Sequence, residues 1–149
     1  MPKLVSPWAA SLLLRLAKYE LAENRGARFL KLAEEARGRI THISAEEASV
    51  ALQKRVLVID VRERDEFARG HIPRSLHLAR GTIEIDIERH APNLDAEIIT
   101  YCGHGNRSAL AAESLQRMGY ADVKSIKGGF QAWLDAGFPA WRGGESFEE

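Results

Sequence analysis

The chain has 149 residues and one cysteine, Cys102, in the stretch Ile98-Ile99-Thr100-Tyr101-Cys102-Gly103-His104-Gly105-Asn106-Arg107-Ser108. The apolar, β-branched run before the cysteine reads as a buried strand. The run after it, from Arg107 to Met118, is a strong helix former. A thiol between a strand end and a helix N-terminus faces unpaired backbone N–H groups and the positive end of the helix dipole. Both favour thiolate over thiol, and the thiolate is the nucleophile. Gly103 and Gly105 lack a Cβ, so the backbone between them can curl with its amides inward. The expected product is an anion cradle with a sulfur nucleophile at its floor. A lone cysteine is most often an inert core residue. A core cysteine, however, has no use for two glycines, an arginine and a helix start within five residues of it.

The neighbouring elements must position that loop. Val56-Leu57-Val58-Ile59-Asp60 is a continuous apolar run that ends on a carboxylate, the mark of a strand buried on both faces. A carboxylate at the end of such a strand needs a partner, for which Arg62 and Arg107 are the candidates. A structural ion pair is the expectation for Asp60, ahead of direct catalysis. Arg107 is balanced between contacting an anionic substrate and pairing with Asp60 or Glu66, and His104 is expected as an exposed loop residue. Ile40 to Ile43 reads as a short strand. Ser44-Ala45-Glu46-Glu47 is a capping box opening a helix to Lys54. Arg64 to Arg69 reads as a short helix ended by Gly70, Leu76-His77-Leu78 as a short strand, and Thr82 to His90 as a helix stopped by Pro92. Gly119 caps the helix after the loop, Val123 to Ile126 is a strand, and Gly128-Gly129 turns into a last helix closed by Gly137. Trp133 and Trp141 are expected to serve packing. Strands and helices alternate over about a hundred residues, which defines an α/β fold with a mainly parallel sheet. Ligands of such folds bind beyond the carboxyl ends of the strands, where both Cys102 and Asp60 fall.

The flanks differ. Ser6-Pro7-Trp8 opens a helical pattern through Leu12, Leu16 and Tyr19. A second pattern runs from Phe29 to Gly38, so residues 1–39 are expected as a helical extension packed on the domain or on a second copy. Residues 144–149 are expected to fray. Twenty-one basic and twenty-one acidic residues cancel, which argues against nucleic acid or an anionic membrane as a partner. No apolar run approaches the roughly 20 residues needed to span a bilayer. No signal peptide is read, and a single cysteine suits a reducing, cytoplasmic compartment. The histidines and the cysteine form no recognisable metal-ligand spacing, so neither metal nor cofactor is expected.

Cys102-Gly103-His104-Gly105-Asn106-Arg107-Ser108 resembles the active-site loop of the rhodanese family of sulfurtransferases. Val58-Ile59-Asp60-Val61-Arg62-Glu63 with Glu66-Phe67, followed by Gly70-His71-Ile72-Pro73, resembles a second signature of that family. Gly128-Gly129-Phe130-Gln131-Ala132-Trp133 with Gly137-Phe138-Pro139 is similar to its closing segment. Arg74 departs from the small residue that often follows the His-Ile-Pro. The resemblance implies a three-layer α/β/α rhodanese-like domain over residues 40–143. It implies Cys102 as nucleophile, Gly103, His104, Gly105, Asn106, Arg107 and Ser108 as the substrate-binding loop, and Asp60 and Arg62 in support, with His71 structural. The activity implied is transfer of sulfane sulfur from thiosulfate or a persulfide donor, small molecule or protein, to cyanide or a thiol through a Cys102 persulfide. Two rivals are a phosphatase or arsenate reductase, and a binding module without chemistry. The first uses five residues between cysteine and arginine, where this loop has four. The second commonly lacks the cysteine.

Overall fold

Ser44 and Glu47 show how local sequence starts an element here. The Ser44 hydroxyl accepts from the Glu47 amide at 3.0 Å, and the Glu47 carboxylate accepts from the Ser44 amide at 3.3 Å. That reciprocal box opens helix α2 (Ala45–Leu52) as its sequence requires. The computed structural model describes residues 26–143. The expected helix opening at Ser6 and the tail 144–149 lie outside the described residues. The chain divides into two units, 1–32 and 33–149. Helix α1 (Ala27–Arg37) forms the second of the two expected helical stretches, with Gly38 just beyond its end.

Five strands make one sheet. They are β1 (Thr41–Ile43), β2 (Leu57–Asp60), β4 (Leu76–His77), β5 (Glu97–Tyr101) and β6 (Asp122–Ile126), in the order β1-β6-β5-β2-β4. All of its pairings are parallel. Two further strands, β3 (Gly70–His71) and β7 (Trp141–Arg142), form a separate antiparallel ribbon that the sequence did not announce.

Successive strand residues point to opposite faces, and the apolar runs therefore supply two cores. On one face Val58, Ile99 and Ile126 pack with Ala45, Ala48 and Leu52 of α2 and with Trp133 of α6 (Gly129–Asp135). On the other, Ile59, Ile98 and Val123 meet Ile83 and Ile87 of α4 (Ile83–His90) and Ala111, Ala112 and Leu115 of α5 (Asn106–Arg117). Each fully buried Ile or Leu contributes about 1.5–3 kcal/mol relative to exposure, so neither face tolerates water. A three-layer α/β/α arrangement with a parallel sheet is the result.

The strand order also fixes where a site can form. The connection leaving β2 runs through α3 (Arg64–Arg69) to β4 on one side, and that leaving β5 runs through α5 to β6 on the other. Adjacent strands whose connections diverge leave a crevice at their carboxyl ends. Asp60 is level with Tyr101, and Thr100 with Ser125, so the ends of β2, β5 and β6 meet there.

Candidate active site

Cys102 follows the last residue of β5 and is 1% exposed. The chain turns so that Gly105, at φ 108°, caps α5 in the left-handed region that favours glycine. The turn aims the Gly105 amide at the sulfur, where N–H donates to Cys102 Sγ at 3.1 Å. The loop carbonyls point the opposite way. Cys102 O accepts from the Phe130 amide at 2.8 Å, and Gly103 O accepts from the Gln131 amide at 3.1 Å. Those donors belong to the first turn of α6, whose N–H groups have no partner within the helix. One helix end thus holds two of the loop's acceptors while the Gly105 N–H faces the sulfur. Such close approach needs Gly129: a Cβ there would lie 2.4 Å from Cys102 O and 2.8 Å from Gly103 O.

Behind the thiol is a buried pair of hydroxyls. Cys102 Sγ is 3.4 Å from Ser108 Oγ, which is 2.8 Å from Ser125 Oγ. Neither serine is exposed by more than 1%. A hydroxyl can turn, so this pair can accept from a thiol or donate to a thiolate. Asn106 Oδ1 accepts from the Arg37 guanidinium, tying the loop to the end of α1. His104 is exposed, as expected, and with Arg37, His42, Gly105 and Lys127 lines a cleft of about 200 Å³.

The two acidic residues expected near the site sort cleanly. Of the candidate partners of Asp60, Arg62 is the one used. Asp60 is fully buried and accepts from the Arg62 amide at 2.9 Å, from Nε at 3.0 Å and from Nη2 at 2.7 Å. Burial alone would lower the Arg62 pKa, but the hydrogen bond to Asp60 and its charge outweigh this and raise it. Arg62 Nη2 also donates to Gly70 O at 2.6 Å, and its guanidinium lies 4.6 Å over the Phe130 ring. Asp60 and Arg62 therefore brace the crevice wall. His71 stacks on Phe67 at 3.6 Å and hydrogen-bonds Phe67 O.

Arg107 pairs with Glu66, through Nη1 to Oε2 at 2.7 Å and Nη2 to Oε1 at 3.0 Å. The Arg107 hydrogen bonds hold the Glu66 carboxyl down at about 2, well below the usual carboxylate range. Glu66 also accepts from the Glu63 amide, so one carboxylate caps α3 and holds the loop arginine. A depressed carboxylate pKa stabilises the fold above its unfolded value of 4.5, and that stability is lost as pH falls through about 2. Glu66→Gln is expected to remove this part of the acid limb. Thermal melts of the variant between pH 5 and pH 2 should fall less steeply than those of the wild type, and parallel slopes would contradict the latch.

Ser125, Gly129, Phe130 and Gln131 are the site residues that sequence reasoning missed. The available signal for Ser125 was its place in β6 two residues after the buried Val123, on the same face of the strand, because a buried hydroxyl requires a partner.

The chain is thus an α/β domain with a parallel sheet that carries a buried cysteine at a strand end, with one loop amide aimed at its sulfur. The rhodanese-like domain model matches residues 44–136, and the chain belongs to that family. Among solved structures it is similar to a thiosulfate sulfurtransferase from Pseudomonas aeruginosa, with 30% identity and a TM-score of 0.65 over 69% of this chain. That match spans only 20% of the Pseudomonas protein. It is similar to a polysulfide-sulfur transferase homodimer from Wolinella succinogenes, with 26% identity and a TM-score of 0.67 over 77% of this chain and 88% of that one. It is also similar to a protein of unknown function, a possible tyrosine phosphatase, from Rhodopseudomonas palustris. That match has 30% identity and a TM-score of 0.65 over 93% of this chain and 98% of that one. Among the described residues no helix is long and apolar enough to cross a membrane.

Proposed function

We propose that this protein is a sulfurtransferase that carries sulfane sulfur on Cys102. The observation that carries the reading is the Gly105 N–H at 3.1 Å from Sγ, in a loop whose carbonyls are turned away into α6. The Cys102 thiolate attacks the outer sulfur of thiosulfate or of a persulfide. The new S–S bond forms as the donor's S–S bond breaks, and its electron pair leaves on sulfite or on the donor thiolate. The outer sulfur of the Cys102 persulfide then passes to cyanide or a thiol. Charge remains on sulfur in both halves, so the preorganised Gly105 amide serves each of them.

A ring with four residues between Cys102 and Arg107 suits a single sulfur atom better than a tetrahedral oxyanion. Arg107 is engaged by Glu66 in the free protein, which favours the same reading. The proposal includes a reducing, cytoplasmic setting without metal, cofactor, nucleic acid or membrane insertion, and packing of residues 1–39 on the domain or on a second copy in a homodimer.

The deciding experiment assays the wild type with thiosulfate, a polysulfide and an aryl phosphate side by side, with intact-protein mass recorded after each donor. One added sulfur atom and sulfite release are expected, with negligible phosphate hydrolysis. Phosphate turnover with no sulfur transfer from any donor would replace this assignment with a phosphatase.

A further inference from the structure

Thr100, Ser108 and Ser125 bring three buried hydroxyls to the end of β5, on the face of the sheet that α5 covers. Ser125 is level with Thr100 on the neighbouring strand, and Cys102 follows Thr100 by two residues. Thr100 Oγ1 donates to Ser108 O at 3.0 Å, which fixes the Ser108 backbone in the first turn of α5. The freedom left to this buried side chain is rotation of its O–H.

Ser108 Oγ has two neighbours, Cys102 Sγ at 3.4 Å and Ser125 Oγ at 2.8 Å. A hydroxyl carries one hydrogen, so Ser108 donates to one neighbour or to the other. If it donates to Ser125, it gives nothing to the sulfur. If Ser125 is the donor, the Ser108 hydrogen is left for Sγ. A hydrogen bond to a charged acceptor is the stronger one, so a thiolate selects the second order. A donor behind Ser108 also polarises its O–H and strengthens the bond to sulfur.

The charged groups around the thiol are separate from this chain of hydroxyls. Arg107 of α5 attracts the charge of Cys102 and is itself held by Glu66 of α3. Asp60 of β2 is held by Arg62, and Arg37 of α1 binds Asn106. His104 and Lys127 are exposed, and Gly129, Phe130 and Gln131 of α6 carry no charge.

We infer that Ser125 is a positioning residue for the nucleophile: it donates to Ser108, and so turns the Ser108 hydroxyl to donate to the Cys102 thiolate. The inference rests on Cys102 acting as a thiolate nucleophile, as in the sulfurtransferase reading, and needs no particular sulfur donor.

Alkylation by iodoacetamide is the test. The Cys102 thiolate forms an S–C bond as the C–I bond breaks, and iodide leaves. Ser125→Ala should react about tenfold more slowly than the wild type at pH 7, the effect of one hydrogen bond to a charged group. The gap should close by about pH 10, above the ordinary range of a thiol. In a Ser108→Ala background the same substitution should change the rate less than about twofold, because the hydroxyl it acts through is gone. Ser125→Thr and Ser125→Val repeat the comparison at constant volume, and the threonine variant should react about tenfold faster at pH 7. Equal rates for wild type and Ser125→Ala, or for the threonine and valine variants, overturn the inference. So does a loss that persists at pH 10 or is as large without Ser108. If no donor loads Cys102 with sulfur, the sulfurtransferase reading fails, and the alkylation rates still decide the role of Ser125.

Discussion

Cys102→Ser is expected to bring sulfur transfer down to background, a loss on the order of 10⁴-fold or more, as when the nucleophile of a covalent mechanism is removed. The substitution tests the chemistry with little disturbance of the fold. A serine hydroxyl occupies nearly the same space and meets the same two partners, the Gly105 amide and the Ser108 hydroxyl. Its burial is therefore compensated by hydrogen bonds. It stays protonated at neutral pH, however, and offers no thiolate to the donor. Intact mass should show no added sulfur after thiosulfate, and thermal melting should stay within a few degrees of the wild type. Transfer activity that persists in the variant would remove Cys102 from the mechanism.

Gly129→Ala is expected to lower sulfur transfer about a hundredfold, the size of losing one well-aimed donor to a charged sulfur. Two effects combine at this position. At φ 61° a side chain adds roughly 1–2 kcal/mol of backbone strain. In addition the new Cβ would lie 2.4 Å from Cys102 O and 2.8 Å from Gly103 C, both of them backbone atoms with nowhere to rotate. The loop must shift, and the Gly105 amide loses its aim on the sulfur. Gly137→Ala separates the two effects, because Gly137 has φ 79° with open space around its Cβ direction. That control should lose stability and keep its turnover. Equal activity in Gly129→Ala and Gly137→Ala would show that the clamp on the loop is dispensable.

Much of this architecture is legible in the sequence, for a physical reason. β2 and β5 are continuous apolar runs because both faces of the sheet are covered, and the capping box at Ser44 is written in adjacent residues. The cysteine loop declared itself because its glycines, its cation and its helix start lie side by side. Contacts between distant segments left no such trace. The β3–β7 ribbon joins residues more than sixty positions apart through strands of two residues, too short for any period to show. Arg107 faced two carboxylates on paper, and only the placement of α3 beside the loop gives it Glu66 in place of Asp60. Gly128-Gly129 announced a turn but not that the helix beyond it would grip Cys102 and Gly103. The first expected helix and the tail lie outside the described residues.

The grip of α6 divides the loop into two halves with different freedom to vary. Cys102 and Gly103 are tied by their carbonyls to Phe130 and Gln131, so an extra residue there would pull two hydrogen bonds out of register at once. Among the described residues His104 to Asn106 have no such bond to α6; Gly105 is held by its N–H to Cys102 Sγ, and Asn106 opens α5 and binds Arg37 through its side chain. An insertion between Gly103 and Arg107 would leave the two carbonyl bonds to α6 in register and would be felt first at the Gly105 amide that faces the sulfur. Ring width and nucleophile placement thus rest on different hydrogen bonds of one short loop.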